Sequence, residues 1–189
     1  MIGITGSTGV LGRILVGALD ARGSAYSTFN GDIRQSEAVE AWLGECRPEA
    51  VFHLAARVPV DSVAEDPVGA FEVNAGGTLN LVRALAQQDG GAWLFYAGTS
   101  HVYGGAPEPM GEDAPTDPHT IYGRSKLVGE QIVDYFGRYA GIRTCIGRIF
   151  SMYHSTQQPP SLYPSIQSRL KNHVPGEPFV VRNGFDVRD

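Results

Sequence analysis

Tyr122 and Lys126 stand four residues apart in the run IYGRSKLVGEQIVDYF. Residues four apart on a helix share a face, so an ammonium can sit beside a phenol and favour its ionised form, which otherwise needs a pH near about 10. A tyrosine held that way exchanges protons with an alcohol at neutral pH. The same spacing also describes a core aromatic and a solvated charge, so the pair needs support from elsewhere in the chain.

That support begins at the N-terminus. Glycines 6, 9 and 12 follow a first short strand over 1–5 and open a helical pattern over 9–21, the context that gives such a triplet meaning. Absent side chains permit a tight turn and let the backbone approach a pyrophosphate, while the helix N-terminus supplies unpaired amides and a favourable field. Thr5, Ser7 and Thr8 place hydroxyls nearby. The chain holds 24 glycines, so chance must be weighed, but the position in the first strand-turn-helix unit favours a dinucleotide site.

The elements that must position these groups read as alternating strands and helices. Strands are expected over 25–29, 50–56, 92–97 and 143–150, and helices over 36–43, 68–86 and 120–139. The run AVFHLAA over 50–56 is continuously apolar, which suits a parallel sheet covered on both faces. Alternation of this kind predicts an α/β fold with a doubly wound parallel sheet over 1–150. From 151 to 189 the chain is proline-rich, with a weak helix over 166–172 and a short apolar run over 179–181, and reads as the start of a smaller lobe.

The 189 residues are 42% hydrophobic and carry a formal charge of −5, which fits one soluble domain with a real core. Without basic blocks, nucleic acid is not an expected partner. No apolar run approaches the roughly 18 residues of a membrane span, and a cytoplasmic location is expected. Cys46 and Cys145 read as reduced packing thiols, and the five histidines lack ligand spacing, so no metal is expected.

The motifs resemble those of the extended short-chain dehydrogenase/reductases that modify nucleotide sugars as NAD-dependent epimerases and dehydratases. They are TGSTGVLG over 5–12, GDI over 31–33, FHLAA over 52–56, VNAGGTLNL over 73–81, TSHVYG over 99–104, YGRSK over 122–126 and RIFSMY over 148–153. The resemblance implies a Rossmann-type sheet whose Gly6, Ser7, Thr8, Gly9, Val10, Leu11 and Gly12 cradle a pyrophosphate. It further implies that Asp32 and Ile33 border the adenine, and that Leu54, Ala55 and Ala56 line the cleft. Asn74 matches an asparagine near the cofactor pocket, or serves as a polar helix cap. Asn30 stands where an acidic residue would hold the ribose of NAD. NAD is the expected cofactor, with NADP the alternative if Arg34 reaches its extra phosphate.

By the same resemblance Thr99 joins Tyr122 and Lys126 as the reacting group set, with Lys126 also holding the nicotinamide ribose. His101 is either a further acid/base or a histidine bonded in its turn. Arg57, Ser100 and Ser151 border substrate together with Thr99 and Tyr122, and dehydration is disfavoured because Ser100-His101 replaces the Asp-Glu of the dehydratases. His53 is expected to be a packed strand residue. An epimerase of nucleotide sugars is the leading expectation, a 4-keto-sugar reductase the second, and a non-catalytic dinucleotide-binding module the third. A nucleotide sugar is the expected partner, and a homodimer through 68–86 and 120–139 is one option for assembly. The chain ends at FVVRNGFDVRD, before the family's remaining substrate lobe, and so reads either as a fragment or ordered portion of a longer protein or as a shortened relative.

Overall fold

The computed structural model describes residues 1–58, 60–88, 91–105, 109–155, 157, 161–174 and 176. Its strands are β1 (Ile2–Thr5), β2 (Tyr26–Phe29), β3 (Ala50–His53), β4 (Trp93–Thr99) and β5 (Arg143–Ile149). They form one parallel sheet in the order β2-β1-β3-β4-β5. Helices α1 (Val10–Ala21), α2 (Ser36–Cys46), α3 (Val60–Glu65), α4 (Pro67–Phe71), α5 (Gly77–Ala86) and α6 (Ile121–Tyr139) lie between the strands. The doubly wound α/β fold expected from the alternating pattern is therefore present. The chain divides into two compact units, Met1–Ile149 and Phe150–Asp189.

The core of the first unit joins Val39 and Leu43 of α2, Val51 of β3, Leu81 and Val82 of α5, Leu94 and Tyr96 of β4, and Val133 of α6. Each is at most 1% exposed, and burial of a side chain of this size contributes roughly 1.5–3 kcal/mol. In-register pairing sets Thr5 beside His53 and His53 beside Tyr96, a polar row across the three central strands. The strand order changes direction between β1 and β3, the place where open α/β sheets bind ligands beyond their carboxyl ends.

Several boundaries differ from the expected ones. β3 stops at His53 and not Ala56: Leu54 still donates to the Thr5 carbonyl at 3.1 Å, but the Ala55 amide turns to the Thr5 hydroxyl at 3.3 Å. The single helix expected over 68–86 starts at Pro67, behind an Asp66 cap that accepts from the Gly69 amide at 3.0 Å. It then widens into a π-helical turn over Glu72–Gly76 before α5. Such π turns are rare single turns inside α-helices, and the pattern over 68–86 reads as one uninterrupted helix. α3 was also not anticipated.

In the second unit, α7 (Leu162–Lys171) begins four residues before the expected Ile166 and takes Pro164 into its first turn, where no amide partner is lost. The apolar run over 179–181 lies outside the described residues. Both cysteines are free thiols, but Cys145 is exposed on β5 and Cys46 half-buried, so Cys145 is not the packing group expected.

Candidate active site and dinucleotide cleft

Gly6 follows β1 with φ +72°, and a Cβ there would lie 2.5 Å from the Ala55 amide nitrogen. The turn after β1 and the turn after β3 thus touch, backbone to backbone, and only glycine fits between them. A Cβ on Gly12 would strike the Gly6 carbonyl oxygen, whereas one on Gly9 would find only that oxygen, at 3.4 Å. Two glycines close the turn and the third keeps its outer face open. Gly9 caps α1 without a side-chain bond, and the first turn carries no acid. The amides of Val10, Leu11 and Gly12 precede the helix's own hydrogen bonding, so this is an open, donor-rich cradle without negative charge. It suits a pyrophosphate. The Thr8 carbonyl accepts from the Arg13 guanidinium, which brings a positive charge to the same turn. Ser7 is half-buried there, and Leu54, Ala55 and Ala56 are half-buried beyond β3.

Asn30 is exposed at the end of β2, its amide nitrogen 3.4 Å from the Thr28 hydroxyl. Ile33 is 5% exposed and packs against Gly77, where a Cβ would come within 2.5 Å. The Arg34 guanidinium is 2.6 Å from one Asp32 oxygen and 3.3 Å from Glu72, and it holds the Asp32 carboxyl below its ordinary range. Arg34 is thus engaged by two carboxylates, which weighs against the alternative in which it reaches a phosphate. Asp32, Arg34 and Glu72 border a cavity of about 530 Å³ that Leu79 and Asn80 also line.

A buried hydrogen-bonded chain links the glycine turn to α6. Thr78 donates to the Asn74 carbonyl at 2.7 Å, which spends its proton, so it must accept from His53 Nε2 at 3.0 Å. His53 Nδ1 is then an acceptor, and the Thr5 hydroxyl donates to it at 2.7 Å. Burial pushes the His53 imidazole down to about 3, with the Lys126 charge acting in the same direction. His53 is the packed strand residue expected, but its two hydrogen bonds were not foreseen.

Asn74 is 1% exposed inside the π turn. Its side-chain oxygen accepts from the Arg57 amide at 2.7 Å, while its nitrogen donates to Ser125 at 2.9 Å and faces the Arg57 carbonyl at 3.4 Å. It caps no helix; it fastens the chain beyond β3 to α6. The Arg57 guanidinium pairs with Asp66 at 2.6 Å.

Thr99 closes β4, and its hydroxyl accepts from the His101 amide at 3.3 Å as the chain enters a 3₁₀ turn over Ser100–Val102. Thr120 caps α6, accepting from the Gly123 amide at 3.0 Å, which puts Tyr122 in the first turn. A Cβ on Gly123 would strike the His101 carbonyl oxygen, so α6 approaches that turn as closely as backbones allow. The His101 and Tyr122 rings consequently meet edge to face at 5.6 Å. Burial raises the Tyr122 phenol above its ordinary value, and the hydrogen bond from Thr99 opposes the rise.

Lys126 is 2% exposed, with Nζ 4.1 Å from the centre of the Tyr96 ring. The Tyr96 hydroxyl donates to the Lys126 carbonyl at 3.1 Å. Burial pushes the ammonium down to about 7, while Glu130 acts to raise it. This corrects the expected electrostatics: the lysine rests on Tyr96, and burial raises the Tyr122 phenol where the spacing predicts a lowered one. The structure therefore brings Thr99, Ser100, His101, Tyr122 and Lys126 together at the ends of β4 and α6. Ser151 belongs to the second unit.

A family model described as "NAD dependent epimerase/dehydratase family" matches residues 2–189. CDP-paratose 2-epimerase of Salmonella typhi is 32% identical over 188 residues, covering 87% of this chain and 55% of that protein. dTDP-4-dehydrorhamnose reductase of Streptomyces griseus is 37% identical over 134 residues, covering 69% of this chain and 43% of that protein. UDP-glucose 4-epimerase of Thermus thermophilus, solved in complex with NAD, superposes with a TM-score of 0.81 at 30% identity over 88% of this chain and 60% of that one. The chain spans about half the length of the curated relatives it matches. With a family model running along nearly its whole length and relatives of the same fold, the chain belongs to the NAD dependent epimerase/dehydratase family.

Proposed function

We propose that this protein acts as an NAD(P)-dependent nucleotide-sugar epimerase in which Thr99, Tyr122 and Lys126 carry the proton chemistry. The observation that supports it most is the close seating of α6 against the turn after Thr99, with the Tyr122 ring edge to face with His101 of that turn and the Thr99 hydroxyl opposing the rise of the phenol. Tyr122 takes the proton of a sugar hydroxyl as that carbon is oxidised and returns it on reduction. Thr99 donates to the same oxygen. Lys126 offers its charge to the nicotinamide ribose and to the phenolate as it forms. The amides of Val10, Leu11 and Gly12 bind the pyrophosphate, Asn30 bonds a ribose hydroxyl, and Asp32 and Ile33 border the adenine. The nicotinamide, when bound, accepts and returns the hydride.

NAD is the first choice of cofactor, because Arg34 is engaged by Asp32 and Glu72. Asn30 carries no charge to repel the extra phosphate of NADP, which stays the alternative.

A second reading, reduction of a 4-keto sugar, is favoured by the 37% identity to a dTDP-4-dehydrorhamnose reductase and by the His101 imidazole beside Tyr122. The two differ in cofactor balance. An epimerase consumes no net reduced nicotinamide; a reductase consumes one per sugar. A homodimer would use the helical faces that carry exposed Val68 and Leu79 on one side of the sequence and Tyr135 and Tyr139 on the other.

The test is a panel of UDP-, GDP- and dTDP-sugars supplied to the full chain with NAD or NADP, followed by product sugar and by nicotinamide absorbance. Tyr122→Phe is expected to abolish turnover while cofactor still binds. Undiminished turnover in that variant overturns the mechanism, and cofactor binding without turnover of any sugar by the wild type favours a non-catalytic dinucleotide-binding module.

A further inference from the structure

Glu130 follows Lys126 by one turn of α6 and Tyr122 by two, so the three side chains share a face. It is 4% exposed. Arg148 on β5 reaches its carboxylate with Nε at 3.1 Å and Nη2 at 3.0 Å from Oε2. The remaining nitrogen, Nη1, donates to the Tyr103 hydroxyl at 2.7 Å and to the Glu112 carbonyl oxygen at 3.0 Å. Tyr103 donates to that same carbonyl at 3.1 Å, and the guanidinium lies 4.7 Å from the centre of its ring. Tyr103 and Glu112 belong to the segment that runs from Thr99 to Tyr122. β4 gives way to the carboxylate as well: a Cβ on Gly98, next to Thr99, would lie 2.7 Å from Glu130 Oε1.

We propose that Glu130 and Arg148 are a positioning pair for the Thr99, Tyr122 and Lys126 site, in which one buried carboxylate is shared between two cations and so sets the charge on Lys126. The proposal rests on the reading of Lys126 as part of that site. A buried carboxylate needs a cation, and here it has Arg148 in contact and Lys126 a turn away. Among the described residues, the other titratable groups facing Lys126 are Tyr96 on β4 and His53 on β3, which burial keeps neutral, and Tyr122 on its own helix. Glu130 is therefore the group that favours the ammonium, and Arg148 decides how much of its field is left over. The same guanidinium holds Tyr103 and Glu112, so electrostatics and loop position depend on one side chain.

The two halves of the pair must act in opposite directions. The chain contains only two lysines, Lys126 and exposed Lys171, so carbon-13 lysine labelling of the full chain gives one signal for each. Titration of the Lys126 signal should show a lower midpoint in Glu130→Gln and a higher one in Arg148→Gln, each by on the order of one pH unit. Arg148→Lys keeps the charge and should stay near the wild type. Loosening of the fold cannot imitate this, because exposure of Lys126 would raise its midpoint towards that of Lys171 in every variant. Unchanged midpoints, or a rise in both Gln variants, overturn the proposal. Tryptophan fluorescence of Trp42 and Trp93 checks that each variant is folded, and the conservative Arg148→Lys keeps the comparison available if Arg148→Gln is not. Turnover is measured separately: lack of activity in the wild type removes the catalytic reading while leaving the titration result standing.

Discussion

The Asn74 carboxamide donates to the Ser125 hydroxyl at 2.9 Å, and Ser125 donates in turn to the Tyr122 carbonyl at 2.8 Å. Through these two bonds the π turn is joined to the first turn of α6, where Tyr122 is placed. The π geometry is what lets a residue inside a continuous helix face both the chain beyond β3 and α6.

Replacement of Asn74 by Ala would strand the Arg57 amide and half the hydrogen bonding of Ser125 in a buried setting. An unsatisfied buried group costs about 1–3 kcal/mol. Urea unfolding should show a loss in that range or somewhat above it, with Ser125→Ala costing less because it leaves the Arg57 amide paired.

Gly123→Ala tests the approach of α6 to the turn after Thr99. The new Cβ would press on the His101 carbonyl oxygen and on Pro118, so backbone must move. We expect a stability loss of about 1–3 kcal/mol and a fall in kcat/KM on the order of 10- to 100-fold as Tyr122 shifts from Thr99. Gly17→Ala is the contrasting variant: nothing lies within 4 Å of its Cβ on α1, and a gain of about 0.5–1 kcal/mol is expected. Equal behaviour of the two would contradict the packing argument.

His53 makes stability sensitive to acid. Folded, it resists protonation until about pH 3, against an ordinary value of 6.5. Between these two pH values the unfolded chain binds a proton that the folded chain does not, so stability falls as pH drops through this window. Compared with His53→Gln, the wild type should lose about 2 kcal/mol more between pH 7 and pH 5. Parallel denaturation curves at the two pH values measure it, and identical pH slopes would show that His53 is protonated in the fold.

Asn30 and Arg34 separate the two cofactors. Asn30→Asp adds a negative charge at the end of β2 and should weaken NADP relative to NAD on the order of tenfold, about 1.4 kcal/mol. Because Asp32 and Glu72 already hold Arg34, Arg34→Gln should change the NADP to NAD ratio by no more than about twofold. Fluorescence titration with each dinucleotide measures both ratios; loss of NADP binding in Arg34→Gln would show that the guanidinium leaves its carboxylates for the phosphate.

The alternation of strands with the main helices, the glycine turn and the placing of Tyr122 and Lys126 on one helix were legible in the sequence, because each depends on residues close together in the chain. Glycines 6, 9 and 12 span one turn and the start of α1, and Tyr122 and Lys126 are four residues apart on α6. What these groups touch was decided by the tertiary structure. Lys126 rests on Tyr96 from another element, 30 positions away in its backbone bond; His53 meets Thr5 across 48, Asn74 meets Ser125 across 51, and Arg148 meets Glu130 across 18. Arg34, free to reach a phosphate as far as sequence can tell, is claimed by Glu72 from 38 positions on. Spacing fixes which side chains share a face. Charge and proton affinity follow from burial and from partners brought in by the fold, which is why the expected ammonium beside a phenol became a desolvated lysine over a different ring.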